Sequence, residues 1–175
     1  DIRETFGRMA MNDYETAALV AGGHTFGKSH GAASESFKGP DPEASKLQDQ
    51  STGWNSGYKS GKGVDTISSG IEGAWTQNPI RWDMGYLDCL YGHEWELTKS
   101  PAGAHQWTPK KNGQEIKMVP DAHKKGVLHP PMMQTTDISM KVDPSYGPIT
   151  KHFHQNPKAV SYTHLRAHET PCHRV

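Results

Sequence analysis

The sequence predicts a mainly α-helical domain with a short β-hairpin and long loops. Three observations carry that expectation: a capped run of good helix formers over 13–22, a second helical pattern around Met84, Leu87, Leu90 and Tyr91, and strand-like residues on both sides of Ser100-Pro-Ala-Gly103. At 175 residues the chain is about one domain long, enough to bury a core and too short for two ordinary domains. An apolar fraction of 33% makes it polar, but not compositionally disordered.

Taken in order, Asp1 to Met9 is charged and compatible with a helix, with no initiator Met and nothing ahead of it to pack against, so the expectation is a chain cut from something longer. Asn12 caps the next helix and Glu15 sits at its third position, a variant of the capping box, followed by the apolar face of Tyr14 to Ala21. Gly22 and Gly23 then strip side chains from the helix end, so that something large can lie close to the backbone just where His24 projects. Residues 31–63 are dense in Gly, Ser, Pro and Lys without a period and read as a long surface loop. A helix near 84–91 precedes a hairpin built from Trp95, Leu97 and Trp107. Asp143-Pro144 supplies a cap and a first-turn proline for a final helix, which Gly147-Pro148 should weaken or delay. Ser161 to Val175 shows neither a helical nor a strand period, and no internal repeat is visible.

Composition excludes several classes of function. Nineteen Lys and Arg balance nineteen Asp and Glu, so no field draws nucleic acid or anionic lipid to the surface. Mean hydropathy is −0.79, and no apolar run approaches the ~18 residues of a membrane-spanning helix, which leaves no membrane partner and a cytoplasmic protein as the expectation. Cys89 and Cys172 form no C-x-x-C pair and imply neither a disulfide framework nor a zinc site.

The chemistry concentrates in Gly22-Gly-His-Thr-Phe-Gly-Lys-Ser-His30. His24 reads either as a capped or core imidazole or as a ligand. His24 and His30 are six apart, which on a helix separates them by roughly 240°, unlike the i,i+4 pair of zinc enzymes. A flat macrocycle with one axial ligand fits better: it needs a single His from a helix, a glycine-thinned backbone beside the ring, and cationic or hydroxyl groups for its carboxylates. Five of the eleven His lie between His152 and Val175, but they share no face and have no Cys at a ligand spacing.

The segment Arg8 to Gly31 resembles the proximal haem-ligand region of bacterial catalase-peroxidases, members of the plant-type haem peroxidase superfamily. Tyr58 to Trp75, Glu94 to Ala104, and Thr135-Thr-Asp-Ile-Ser139 with Asp143-Pro144 resemble the same family in the same order. Coverage runs from Asp1 to about Ala159. The resemblance implies the proximal half of a haem-peroxidase helical domain over 1–159 and a foreign tail over 160–175.

It further implies that His24 is the axial ligand of a haem b iron. Asp137 would accept a hydrogen bond from the other ring nitrogen of His24, and Trp75 would donate its indole N–H to the same carboxylate, raising the basicity of the ligand. Gly23 thins the backbone beside the ligand, Lys28, His30 and Ser69 match positions near the haem propionates, and Met9 matches the methionine of a Met-Tyr-Trp covalent adduct. The partners of Met9 and the distal Arg, Trp and His that cleave peroxide have no counterpart in this chain. Implied substrates are hydrogen peroxide and small electron donors, in a parent that is a homodimer or homotetramer. A catalytically inert haem-binding module and a His-rich metal-binding protein are the alternatives.

The chain departs from the family at its start, at Gly147-Pro148 and in Ser161 to Val175, where an amphipathic helix would be expected. Val160 to Thr170 reads like the in-frame translation of a transposase adapter, so the expectation is an artefactual junction and a disordered tail.

Overall fold

The structure is a computed structural model that describes residues 1–31, 33–49, 53, 55–111 and 116–167. The chain divides into two compact units, each built from separated segments: Asp1–Gly27, Trp75–Glu94 and Met133–Val175 form the first, and Lys28–Ala74 with Trp95–Met132 form the second.

The first unit is helical. It contains α1 (Ile2–Arg8), α2 (Asp13–Gly23), α3 (Gly85–Gly92), α4 (Thr135–Val142), α5 (Tyr146–Gln155) and α6 (Pro157–Ala167). The capping box that starts α2 is complete: Glu15 N donates to Asn12 Oδ1 at 2.9 Å and Asn12 N donates to Glu15 Oε2 at 3.1 Å. These bonds satisfy donors that the first turn leaves without intrahelical partners. The buried face of α2 is made of small residues, Thr16, Ala17, Ala18, Ala21 and Gly22, which let α5 and α6 pack close against it. A Cβ at Gly22 would collide with the His164 imidazole of α6, so the first of the two glycines is occupied by the protein itself, while Gly23 faces open space.

Asp83 Oδ1 accepts from Gly85 N at 2.8 Å and opens α3, whose buried face presents Tyr86, Leu87, Cys89 and Leu90. Lys141 closes the other end by donating to the carbonyls of Leu90 and His93 at 2.9 and 3.1 Å, a cation on the negative end of the helix. Gly147-Pro148 does not break α5, which begins two residues after the Pro144 expected in its first turn. That helix starts at Tyr146, which puts Pro148 in the first turn, where a missing N–H costs no intrahelical bond. The N-cap falls at Ser145, whose side chain makes no cap bond, and not at the expected Asp143, which acts from two residues upstream through Oδ1, accepting from Ser145 N at 2.8 Å and Tyr146 N at 3.0 Å.

The expectation of a patternless, disordered segment from 160 onward is corrected as far as Ala167, the end of α6. Val160 is buried, Trp82 donates its indole N–H to Ser161 Oγ at 3.3 Å, and a His164 ring nitrogen lies 3.1 Å from the Ala18 carbonyl. Tertiary packing against the small-residue face of α2 makes a helix where local sequence signals none. The remainder of the tail, 168–175, lies outside the described residues.

The second unit holds the hairpin. β1 (Trp95–Lys99) pairs antiparallel with β2 (His105–Pro109), with Trp95 opposite Pro109 and Leu97 opposite Trp107. The turn falls at the expected place: Ser100 N donates to Ala104 O at 2.8 Å, and Gly103 takes φ 89°, which a side chain would resist. A second, two-residue hairpin of β3 (Val119–Pro120) and β4 (Leu128–His129) has no counterpart in the sequence reading. The expected long loop is irregular, with single 3₁₀ turns at Glu35–Phe37, Pro42–Ala44 and Leu47–Asp49. Gln106 clamps this unit by accepting from Glu72 N and donating to Glu72 O, both at 3.0 Å.

Candidate functional site

In the first unit four side chains from three helices and one loop converge. His24 caps the C-terminus of α2, Tyr86 lies on α3, Asp137 opens α4, and Trp75 precedes the loop into α3. Asp137 is fully buried, and three donors hold its carboxylate: Trp75 Nε1 reaches Oδ2 at 2.9 Å, Gln134 N reaches Oδ2 at 2.7 Å, and Tyr86 Oη reaches Oδ1 at 2.9 Å. A buried carboxylate without such donors would carry a large desolvation cost, which these three hydrogen bonds offset.

The His24 ring packs edge-on against Trp75, centroids 4.1 Å apart, and lies at 23° to the ring of Tyr86, centroids 5.3 Å apart. The imidazole itself is 21% exposed, so it stands between the buried carboxylate and solvent. Burial holds its pKa below the ordinary histidine range, with the negative charge of Asp137 opposing that shift, and a neutral imidazole is what metal ligation requires. Tyr86 is shifted the other way, well above the ordinary tyrosine value, first by burial and then by the neighbouring Asp137 charge, so its phenol keeps its proton and donates.

The expected hydrogen bond between His24 and Asp137 is corrected by these distances. His24 Nε2 lies 3.8 Å from Asp137 Oδ1, beyond hydrogen-bond range, and Nδ1 is 3.2 Å from the Val20 carbonyl. The reason is local: the Val20 carbonyl, which also accepts from His24 N at 2.9 Å, lies beside the ring on its own helix, and Oδ1 already accepts the Tyr86 phenol.

Of the other residues singled out in the sequence, Gly23 adjoins His24 with open space where a Cβ would stand. Met9 forms the C-cap of α1 and is 46% exposed. Lys28, His30 and Ser69 belong to the second unit. There Lys28 Nζ is paired with the Glu72 carboxylate and also donates to Ser29 O at 3.2 Å, and Ser69 Oγ accepts from Ile71 N at 3.3 Å. His30 is held below the ordinary histidine range, first by burial and then by the charge of Lys28.

Tyr86 is the functional residue that sequence reasoning missed. Its position on the buried face of α3 was a signal, since a buried phenol needs a hydrogen-bond partner. Nothing local names Asp137, 51 residues away, as that partner.

The donor set decides what the site can hold. One exposed-edge imidazole, an open backbone at Gly23 and a carboxylate behind the ligand fit a metal whose other positions come from a planar macrocycle. Among the described residues, no three His, Cys, Asp or Glu side chains converge as a metal cage. His154 pairs with Asp88 at 2.9 Å, and His152 accompanies Asn156 on the same helix end. Among the described residues, no helix is long and apolar enough to cross a membrane.

The peroxidase family profile matches residues 1–156. The chain is 58% identical over 174 residues to a catalase-peroxidase of Maridesulfovibrio salexigens, covering 99% of this chain and 24% of that relative. It is 57% identical over 175 residues to a catalase-peroxidase of Koribacter versatilis, with 99% and 23% covered, and 56% identical over 175 residues to one of Gloeobacter violaceus, with 99% and 24% covered. The chain thus spans about a quarter of the length of the curated relatives it matches.

Proposed function

We propose, from the premise that the chain belongs to the peroxidase family, that it supplies the proximal haem-ligand half of a catalase-peroxidase, which disproportionates hydrogen peroxide and oxidises small electron donors. The observation that carries this reading is the buried Asp137 carboxylate, held by Trp75 and Tyr86 and standing 3.8 Å behind a part-exposed, neutral His24. When bound, haem b would supply the redox-active iron and the peroxide chemistry.

The residues of this chain do the rest. His24 would hold the iron, which would require its ring to turn one nitrogen away from its present protein partners. Asp137 then orients the ring and raises its basicity, as carboxylates behind ligating histidines do. Trp75 keeps the carboxylate plane fixed and places an oxidisable indole against the ligand ring. Gly23 leaves the backbone open beside the macrocycle. Lys28, His30 and Ser69 are proposed to meet the propionates, which would require Lys28 to exchange its Glu72 partner for a haem carboxylate. Met9 is proposed as the methionine of the covalent adduct, and the parent as a cytoplasmic homodimer or homotetramer.

The test is haem titration of the purified chain, followed at the Soret band. His24→Ala is expected to abolish the ligand-dependent band, whereas replacing His152 and His154 with Ala leaves it unchanged. A Soret band that survives His24→Ala removes the ligand assignment. Uptake of zinc or nickel without a Soret band would favour a metal-binding protein instead.

A further inference from the structure

Asp137 has more donors than the Trp75 partnership requires. Two of them, Trp75 Nε1 and Gln134 N, sit on Oδ2, and the third, Tyr86 Oη, sits alone on Oδ1, the oxygen that faces His24 Nε2. Tyr86 is itself 1% exposed, so its hydroxyl exchanges with no solvent and its ring is locked by packing on α3 and against His24. A charge-assisted hydrogen bond draws electron density from the carboxylate that accepts it, and donors sharing one carboxylate therefore weaken one another.

We propose that Tyr86 is a positioning residue of the haem-ligand site: its phenol fixes Asp137 Oδ1 opposite the imidazole and, by sharing that oxygen, limits the electron push that His24 delivers to iron. The inference rests on the proximal-ligand reading above for its second half only. The first half, control of the Asp137 carboxylate by Tyr86, concerns groups that the protein brings together by itself.

The alternative is that Tyr86 only fills space, and the two roles differ in what they move. Tyr86→Phe keeps the ring and removes the donor, while Tyr86→3-fluorotyrosine keeps the shape and strengthens the donor. In the chain without haem, the indole N–H proton of Trp75, assigned with Trp75→Phe, is expected to move downfield in Tyr86→Phe and upfield in the fluorotyrosine protein, because Oδ2 gains or loses density. In the haem-loaded chain, resonance Raman should show the iron–imidazole stretching band rising in Tyr86→Phe and falling in the fluorotyrosine protein.

If the indole resonance stays in place in both proteins, Tyr86 is a packing residue and the proposal is overturned. If the resonance moves but no chain takes up haem, the proximal-ligand reading fails while the control of Asp137 stands. If haem binds and the stretching band does not respond, the damping of the ligand is overturned. Should Tyr86→Phe fail to fold, the sign of the shift in the fluorotyrosine protein decides alone.

Discussion

Arg3 lies far from the haem-ligand cluster in sequence, yet it shows how strongly one side chain can set the acid behaviour of this protein. Its guanidinium donates to Asp13 at 2.9 Å and to Asp143 at 2.8 Å. The Arg3 hydrogen bond, followed by the backbone donors of Tyr146 and Ser145, holds the Asp143 carboxyl at about 2, against an ordinary value of 3.8. A carboxyl depressed on folding contributes stability that is fully present above its unfolded pKa and is lost as pH falls through its folded value, here between about 4 and 2. Urea midpoints measured across that window should therefore fall less steeply for Arg3→Gln than for the unaltered chain, and equal slopes would show that the pair contributes nothing to acid stability. Single residues differed in how far they could be read from sequence. His24 stood out because two glycines precede it at a helix end. Trp75 and Asp137 bond across 62 positions, and only the family resemblance paired them. The role proposed for Tyr86 is only half signalled, because a buried phenol announces that it needs an acceptor without naming one.

Helix ends and turns were the legible elements, since their signals are local. The Asn12–Glu15 capping box and the turn at Ser100 to Gly103 formed where the residue chemistry placed them. Replacing an N-cap of this kind with Ala costs about 1 kcal/mol, and Asn12→Ala should lower the unfolding free energy by that order in urea denaturation. It should also loosen the end of α2 that carries His24 less than the start, which amide exchange would resolve along the helix. A loss well under half of that size would mean that packing, and not the cap, determines where α2 begins. What local signals could not supply was α6. Its residues through Ala167 lack a clear apolar stripe, and they become helical because the Ala and Gly face of α2 accepts them closely. The effect of Pro148 depends likewise on where α5 starts: Tyr146 begins the helix two residues before it, so Pro148 stands in the first turn, where no intrahelical bond is lost.

For the molecule as a whole, the side chains assembled around Asp137 are the proposed ligand and its support, and the family resemblance assigns no distal acid or base to this chain. Positioned proton transfer typically contributes ~10²–10⁴-fold to such reactions, so the haem-loaded chain alone should consume peroxide only at the slow rate of unassisted haem. Stopped-flow mixing with hydrogen peroxide and an oxygen electrode would check this, and rapid oxygen evolution would show that a complete catalytic site is present. The helical class and the hairpin were readable at this scale, whereas the division into two units was not, because it depends on which distant segments find one another. That interleaving also governs the order in which the protein can be made. Three segments must meet before the first unit closes, and the last of them, Met133 onward, carries Asp137. During synthesis His24 and Trp75 leave the ribosome long before their carboxylate exists, and the loops that must close are long, which slows productive pairing. The newborn chain therefore passes through a period in which the apolar faces of α2 and α3 are exposed without their partners, and a chaperone that shields such faces has its greatest effect before α4 emerges.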